Sequence, residues 1–321
     1  MAINKVVANV KEATKVFKDF PERFKYITDI EHVFALCYFN SPKTSQVFVE
    51  LTSNKKKNFA RYIFFHANYL LSINNSREAI KVIDSGLNLN PRNIILSQLK
   101  KNIKSKNDLS DKFDCKSQSD VIAEIFYVIA NVLAAQENHI SSNLYINLAK
   151  YLNPNFTSYD ILKAENFYAI DQTFKAKNIY KKILNNGVVY EWHATKKIAQ
   201  ILTKDKKNKE AIEFVNHRFD KIKSPGLYEI YSYADFLKTN EKYKEAIKYY
   251  TKLLNLINKN HELYPRSTQG RGIAYERIDQ WNKAEKDFLN SLSALPEQAY
   301  VINYLAYSWI EKGMHIEKSL A

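Results

Sequence analysis

Few side chains in this sequence stand where a reaction would need them. The seven histidines (His32, His66, His139, His193, His217, His261 and His315) never fall four residues apart, and no His-Glu-x-x-His or nucleophile-elbow string occurs. A metal site or a hydrolytic triad needs two or three such groups converging, and the spacing brings none together. Gly270-Arg271-Gly272 opens like a phosphate-binding loop but lacks its third glycine and a preceding strand, so close helix contact accounts for Gly272 better. The carboxylates Glu210 and Glu213 share a polar helix face, where lysines rather than substrates are their ordinary partners. Cys115 lies beside Lys116 with no identifiable base, and Cys37 and Cys115 are too far apart in sequence to suggest a disulfide framework or a zinc site. The sequence therefore nominates no catalytic residue, no metal ligand and no cofactor, and predicts a protein without catalysis of its own.

The elements that carry these residues are helical. The 321 residues include only six Gly and seven Pro, too few for the tight turns of a sandwich or barrel, and 45% hydrophobic with 26% charged residues is a globular balance. The formal net charge of +14 raises nucleic acid or an anionic membrane surface as an alternative ligand. Yet only eight of the 48 basic residues are Arg, and the Lys are spread along the chain, whereas bidentate phosphate and guanine recognition favours Arg. Nucleic acid is disfavoured on that ground. The start, Met1 to Lys11, has a short apolar patch rather than a secretory core. The uncharged run Ile125 to Gln136 is twelve residues, short of the roughly 18 that cross a bilayer. No transmembrane segment is expected, and the expected location is cytoplasmic, or periplasmic if a leader belongs to the chain.

Internal repetition is the main signal. Small residues recur in pairs twelve apart: Ala67/Ala79, Ala130/Ser142, Ala164/Ala176, Ala199/Ala211, Ala234/Ala246 and Gly272/Ala284. From Ala130 the first members advance by 34, 35, 35 and 38, and Ala306 follows 34 after Gly272. A large apolar residue follows three after the first small one (Leu70, Leu133, Phe167, Leu202, Leu237, Tyr275). Another follows four after the second (Ile83, Ile146, Tyr180, Val215, Tyr250, Phe288), so each helix has one apolar face. Antiparallel helices approach closely only where facing side chains are small, and the larger neighbours fill the space between hairpins.

With Gly272, Tyr275, Ala284, Phe288 and Pro296 at the eighth, eleventh, twentieth, twenty-fourth and thirty-second places, the chain resembles the tetratricopeptide-repeat (TPR) family of bacterial proteins. The resemblance covers residues 60–93 and 123–321 and implies an all-α, right-handed α-solenoid of helical hairpins. It departs at Ser142, which replaces Ala at a hairpin contact, and at Ile183, Arg218 and Leu253, which replace a small residue seven places later. Looser or differently packed contacts are expected there. The segmentation this implies is a helical stretch over 1–58 with Val6, Val7, Val10, Ala13 and Phe17 on one stripe and a degenerate hairpin around Ala35 and Tyr38, then a hairpin over 59–93. A polar linker or irregular helix over 94–119 separates it from an array over 120–321, with repeats near 123, 157, 192, 227, 265 and 299. After Gly313 the last hairpin is cut short, which suggests a longer chain or an end covered by another copy.

In such arrays the first helices line a concave groove, and the resemblance places groove residues at the second, fifth, ninth and twelfth positions. Among them Phe64, Asn68, Tyr127, Asn131, Tyr168, Gln200, Tyr231 and Arg266 are the candidate binding residues. Rings supply contact area and amides pair with both N–H and C=O of a peptide, so the expected function is a scaffold that binds a peptide or protein segment. The Lys/Asn set by which some relatives clamp a terminal carboxylate is not reproduced.

Overall fold

A computed structural model describes residues 25–53, 60–105 and 111–315, all in helices and short connections, with no strand among them. The helices are α1 (Lys25–Tyr38), α2 (Thr44–Ser53), α3 (Ala60–Ser72), α4 (Ser76–Leu89), α5 (Ile94–Ser105), α6 (Gln118–Ala135), α7 (His139–Leu152) and α8 (Thr157–Ala169). They continue as α9 (Thr173–Ile183), α10 (Val188–Lys204), α11 (Asn208–Asp220), α12 (Leu227–Thr239), α13 (Tyr243–Leu254), α14 (Leu263–Glu276), α15 (Trp281–Ala294) and α16 (Ala299–Glu311). Contacts divide the chain into two units, one up to Ile201 and one from Leu202, with the division near the end of α10. The apolar stripe expected at Val6 to Phe17 and the chain after His315 lie outside the described residues.

Within the first unit α1/α2, α3/α4, α6/α7 and α8/α9 are antiparallel pairs, and within the second α12/α13 and α14/α15 are. The residues that repeat at twelve-residue spacing are the ones sealed at these contacts: Ala67, Ala79, Ala130, Ala164, Ala176, Ala234, Ala246 and Ala284 are all fully buried. A Cβ on Gly272 would lie 2.9 Å from the Phe288 ring, which is why the eighth place of that repeat has none. Ser142 does not loosen its pair. Its hydroxyl donates to Ala130 O at 2.8 Å and accepts from Asn166 Nδ2 at 2.8 Å, so a hydrogen bond replaces the lost apolar contact. Ile183 and Leu253 are likewise fully buried, and Arg218 lies with its guanidinium 5.5 Å from the Phe214 ring. Of the two expectations it is different packing that holds at Ile183 and Leu253, whose larger side chains are sealed in the core.

The turns within hairpins obey one rule. Asn74, Glu137, Asp171, Lys206, Glu241 and Asp279 each have φ between 59° and 62°. In each case the next backbone N–H donates to a carbonyl five residues back, Leu70, Leu133, Phe167, Leu202, Leu237 or Tyr275, at 2.8–2.9 Å. This is the left-handed closure that satisfies the orphan carbonyls of a helix end. The carbonyls used belong to the apolar residues that follow the small ones by three, so side-chain register and turn register are one pattern. Gly313 takes the same conformation, φ 63°, 34 residues after Asp279.

Two departures from expectation lie before α6. Residues 94–105 form a regular helix, not an irregular one, with Ile95, Leu96, Gln98, Leu99 and Asn102 buried while Lys101 and Lys104 take the other face. The lysines concealed the apolar side of that pattern. Cys37 of α1 and Cys115, whose separation in sequence suggests no pairing, form a disulfide with Cα atoms 5.8 Å apart, because the intervening helices fold the chain back on α1. Asp111, also buried, accepts the Thr157 N–H at 2.6 Å and the Tyr190 hydroxyl, tying the approach to α6 to α8 and α10.

Two outcomes follow from this geometry. Replacing Lys206 or Glu241 by Gly removes a Cβ from a left-handed residue and should raise stability by about 0.5–1 kcal/mol in urea titrations, after the entropic cost of Gly is subtracted. A loss of stability in both variants would mean that the turn is not strained. Reducing the Cys37–Cys115 bridge, which closes 78 residues, should cost about 4 kcal/mol by loop entropy. Thermal unfolding with and without reductant measures it, and the Cys37→Ser/Cys115→Ser variant should be insensitive to reductant. A wild-type curve unmoved by reductant would remove the bridge from the account of stability.

Candidate functional site

The second places of the α3 and α6 repeats hold Arg61 and Glu124, opposite charges 63 residues apart. Their side chains meet in a two-pronged ion pair that links α3 to α6, with Glu124 almost wholly buried. The guanidinium lies 4.0 Å from the centre of the Tyr127 ring and 5.0 Å from Phe156, so its faces are covered by π systems while its edge is matched to the carboxylate. Burial works against the Arg61 charge, but Glu124 beside it holds the guanidinium above its ordinary pKa. Burial next to Glu124 also pushes Glu31 up to about 8, which leaves that carboxyl protonated at neutral pH. Burial likewise pushes the Glu124 carboxyl up, and the Arg61 guanidinium beside it opposes that rise.

This pair changes the candidate surface. Phe64 is fully buried, edge-on to Phe156 at 5.5 Å, and Asn68 is nearly so, its amide donating to Phe64 O at 2.9 Å. Neither reaches solvent, so the groove expectation fails at α3, where the aromatic cluster under Arg61 occupies the space. Tyr127 is half-buried beneath Arg61, with its ring 5.1 Å from Tyr159, whereas Asn131 one turn on is exposed and its amide donates to Tyr127 O at 2.8 Å. Tyr168 is half-buried and Gln200 exposed. In the second unit Tyr231 is half-buried, 6.3 Å from Tyr250, and Arg266 is exposed.

The ninth places of three successive first helices form the clearest row. Asn131, Glu165 and Gln200 follow one another by 34 and 35 residues, each immediately after a sealed alanine, and Glu165 of α8 pairs with Lys197 of α10 at 3.3 Å. His193 at a neighbouring place is pushed down to about 3 by burial and by Lys197 and Lys196, and His66 to about 4 by burial, so both rings are neutral. Among the described residues no three metal-ligating side chains converge. One helix among the described residues, α6, is long and apolar enough to cross a membrane by length and composition, although the uncharged run inside it is shorter.

The repeating hairpins, with small residues at their close contacts and a common left-handed turn, make this an all-α repeat of antiparallel helical hairpins. No family model matches the chain, and no curated protein does. It is similar in fold to the TPR protein YrrB, whose structure is described as having an unusual peptide-binding site, with 11% identity over 68% of this chain and 95% of that one and a TM-score of 0.40. MamA is similar at 15% identity over 56% of this chain and 94% of that one, TM-score 0.41. The apo form of the quorum sensor NprR from B. thuringiensis is similar at 12% identity over 92% and 83%, TM-score 0.49.

Arg61→Ala should leave Glu124 buried without a counter-ion and cost about 3–5 kcal/mol in urea denaturation, while replacing the pair together by Met and Leu should cost far less. Equal losses in the single and the paired variants would show that packing around Tyr127, not charge, holds the site.

Proposed function

We propose that the chain is a non-catalytic scaffold that holds an extended peptide or protein segment along the accessible face of its first helices. The observation that carries this reading is the row Asn131, Glu165 and Gln200, polar and accessible at one place in consecutive repeats while the alanines beside them are sealed. Successive carboxamides and a carboxylate set at the repeat spacing can meet the N–H and C=O groups of an extended backbone, with Tyr127 and Tyr168 adding ring surface. Tyr231 and Arg266 give the second unit comparable groups of its own. The Cys37–Cys115 bridge supports an oxidising compartment for this scaffold rather than the cytoplasm expected from the sequence.

Tyr127→Ala combined with Asn131→Ala should lower affinity for a partner recovered by co-purification about tenfold or more, equivalent to about 1.4 kcal/mol. Isothermal titration gives the affinity, and Ala164→Leu, which overpacks the α8/α9 contact, serves as the comparison that lowers stability by about 1–3 kcal/mol. Full affinity in the double variant, with binding abolished by neutralising Lys100, Lys101 and Lys104, would replace the peptide reading by a basic-patch one.

A further inference from the structure

The second helix of one hairpin carries a run of exposed apolar side chains that the other hairpins do not repeat. On α7 the side chains of Ile140, Leu144, Leu148 and Tyr151 are 77%, 59%, 41% and 86% exposed. Their spacing of four, four and three places them within about 80° of arc and along about 16 Å of helix. The other hairpins supply an internal comparison. The place of Ile140 is held by Arg77, Lys209, Lys244 and Asn282, and that of Leu144 by Lys81, Asn178, Glu213, Lys248 and Lys286. In α4, α9, α11, α13 and α15 the two remaining places are polar, and the single apolar exception in that set is Phe174 of α9, at the Ile140 place of the neighbouring hairpin and 75% exposed; α2 has Val47 and Leu51 at the Leu144 and Leu148 places, but both pack into the core. Repeat packing therefore does not require apolar residues at these places. Its partner α6 is apolar as well, with Val132 exposed near the turn and Ile122, Ile125 and Ile129 only half covered.

The charge around this face is mainly basic, and Lys150 is paired to an acid of the neighbouring helix, Asp160 of α8. Helices α7 and α9 contain Lys150, Lys175, Lys177, Lys181 and Lys182 and no Asp or Glu, and the acids Glu137 and Asp171 are confined to the turns. The apolar side chains stand out from the surface rather than line a groove. A folded protein partner would need a separate pocket for each of these side chains, whereas a fluid acyl boundary needs none. Four to five protruding side chains also fall short of the area, about 800 Å² per partner, that a stable dimer buries. Apolar wedges with an aromatic at each end and lysines beside them match what a lipid headgroup layer offers: shallow apolar depth under negative charge.

We propose that the exposed face of α7, extended by Phe174, is a docking surface for an anionic lipid bilayer, with Ile140, Leu144 and Tyr151 inserted at headgroup depth and the lysines of α9 against the phosphates. This goes beyond the peptide-scaffold reading and uses a different helix face, so either stands without the other.

The test is flotation of the full chain with vesicles of phosphatidylcholine alone and of phosphatidylcholine containing phosphatidylglycerol, at low and high salt. Binding is expected to the anionic vesicles only, to weaken with salt, and to fall at least about tenfold in Ile140→Ser/Leu144→Ser/Tyr151→Ser. In Tyr151→Trp, the indole emission should move to the blue on adding anionic vesicles. The triple variant changes exposed residues, and unaltered circular dichroism checks its fold. Absence of binding to anionic vesicles at low salt would overturn the proposal. So would binding that the triple variant retains in full, which would leave only diffuse lysine attraction. Self-association of the wild type in sedimentation, lost in the triple variant without vesicle binding, would assign the face to a protein contact and overturn it too.

Discussion

Everything in this molecule depends on how closely two antiparallel helices can lie. A hairpin whose crossing point is Ala against Ala, or Gly against Ala, brings the backbones near enough for the residues three and four positions away to reach past the pair and fill the space before the next one. The same closeness fixes the turn, because the helix end has to reverse within a few residues and does so through a left-handed residue whose following N–H returns to the carbonyl beneath the apolar side chain. Small residue, large residue and turn are thus one constraint expressed three times. At Ser142 it survives a change of chemistry, since a hydroxyl small enough to fit can substitute a hydrogen bond for a methyl contact.

What the sequence made legible follows from that locality. The alanine series at twelve-residue spacing could be read directly because each pair excludes volume within its own hairpin, and nothing distant has to be known. Helix α5 was hidden, because Lys100, Lys101 and Lys104 dominate its composition while Ile95, Leu96 and Leu99 supply the buried side. The Cys37–Cys115 pairing was hidden for a different reason: whether two distant thiols meet depends on the summed geometry of every helix between them. On the candidate surface Asn131 and Gln200 are exposed, whereas Phe64 and Asn68, at equivalent repeat places, are buried, so the repeat rule alone does not predict exposure. It failed there because Arg61 and Glu124 draw α3 and α6 together over an aromatic cluster. Opposite charges at the same place in two repeats were the available sign of that closure.

The irregular places carry the functional content. Where the repeat is kept, as in α13 with its lysines outward, the surface is interchangeable from hairpin to hairpin. Where it is broken, something has been fixed: a charged pair under a tyrosine, a second helix with leucines where others have lysines, a buried aspartate that holds the chain before α8. A periodic scaffold is useful for this reason, since its own regularity supplies the background against which a specialised position stands out.

The bridge between Cys37 and Cys115 has a mechanical consequence. A pull applied to the two ends of the chain passes through the sulfur–sulfur bond and not through the 77 residues that lie between the cysteines. Those residues, about 270 Å of contour at full extension, stay out of the load path, and helices α2 to α5 bear no tension however far the rest is drawn out. A pore or an unfolding motor would likewise meet a closed loop there, and could advance only by admitting two strands abreast or after reduction of the bridge.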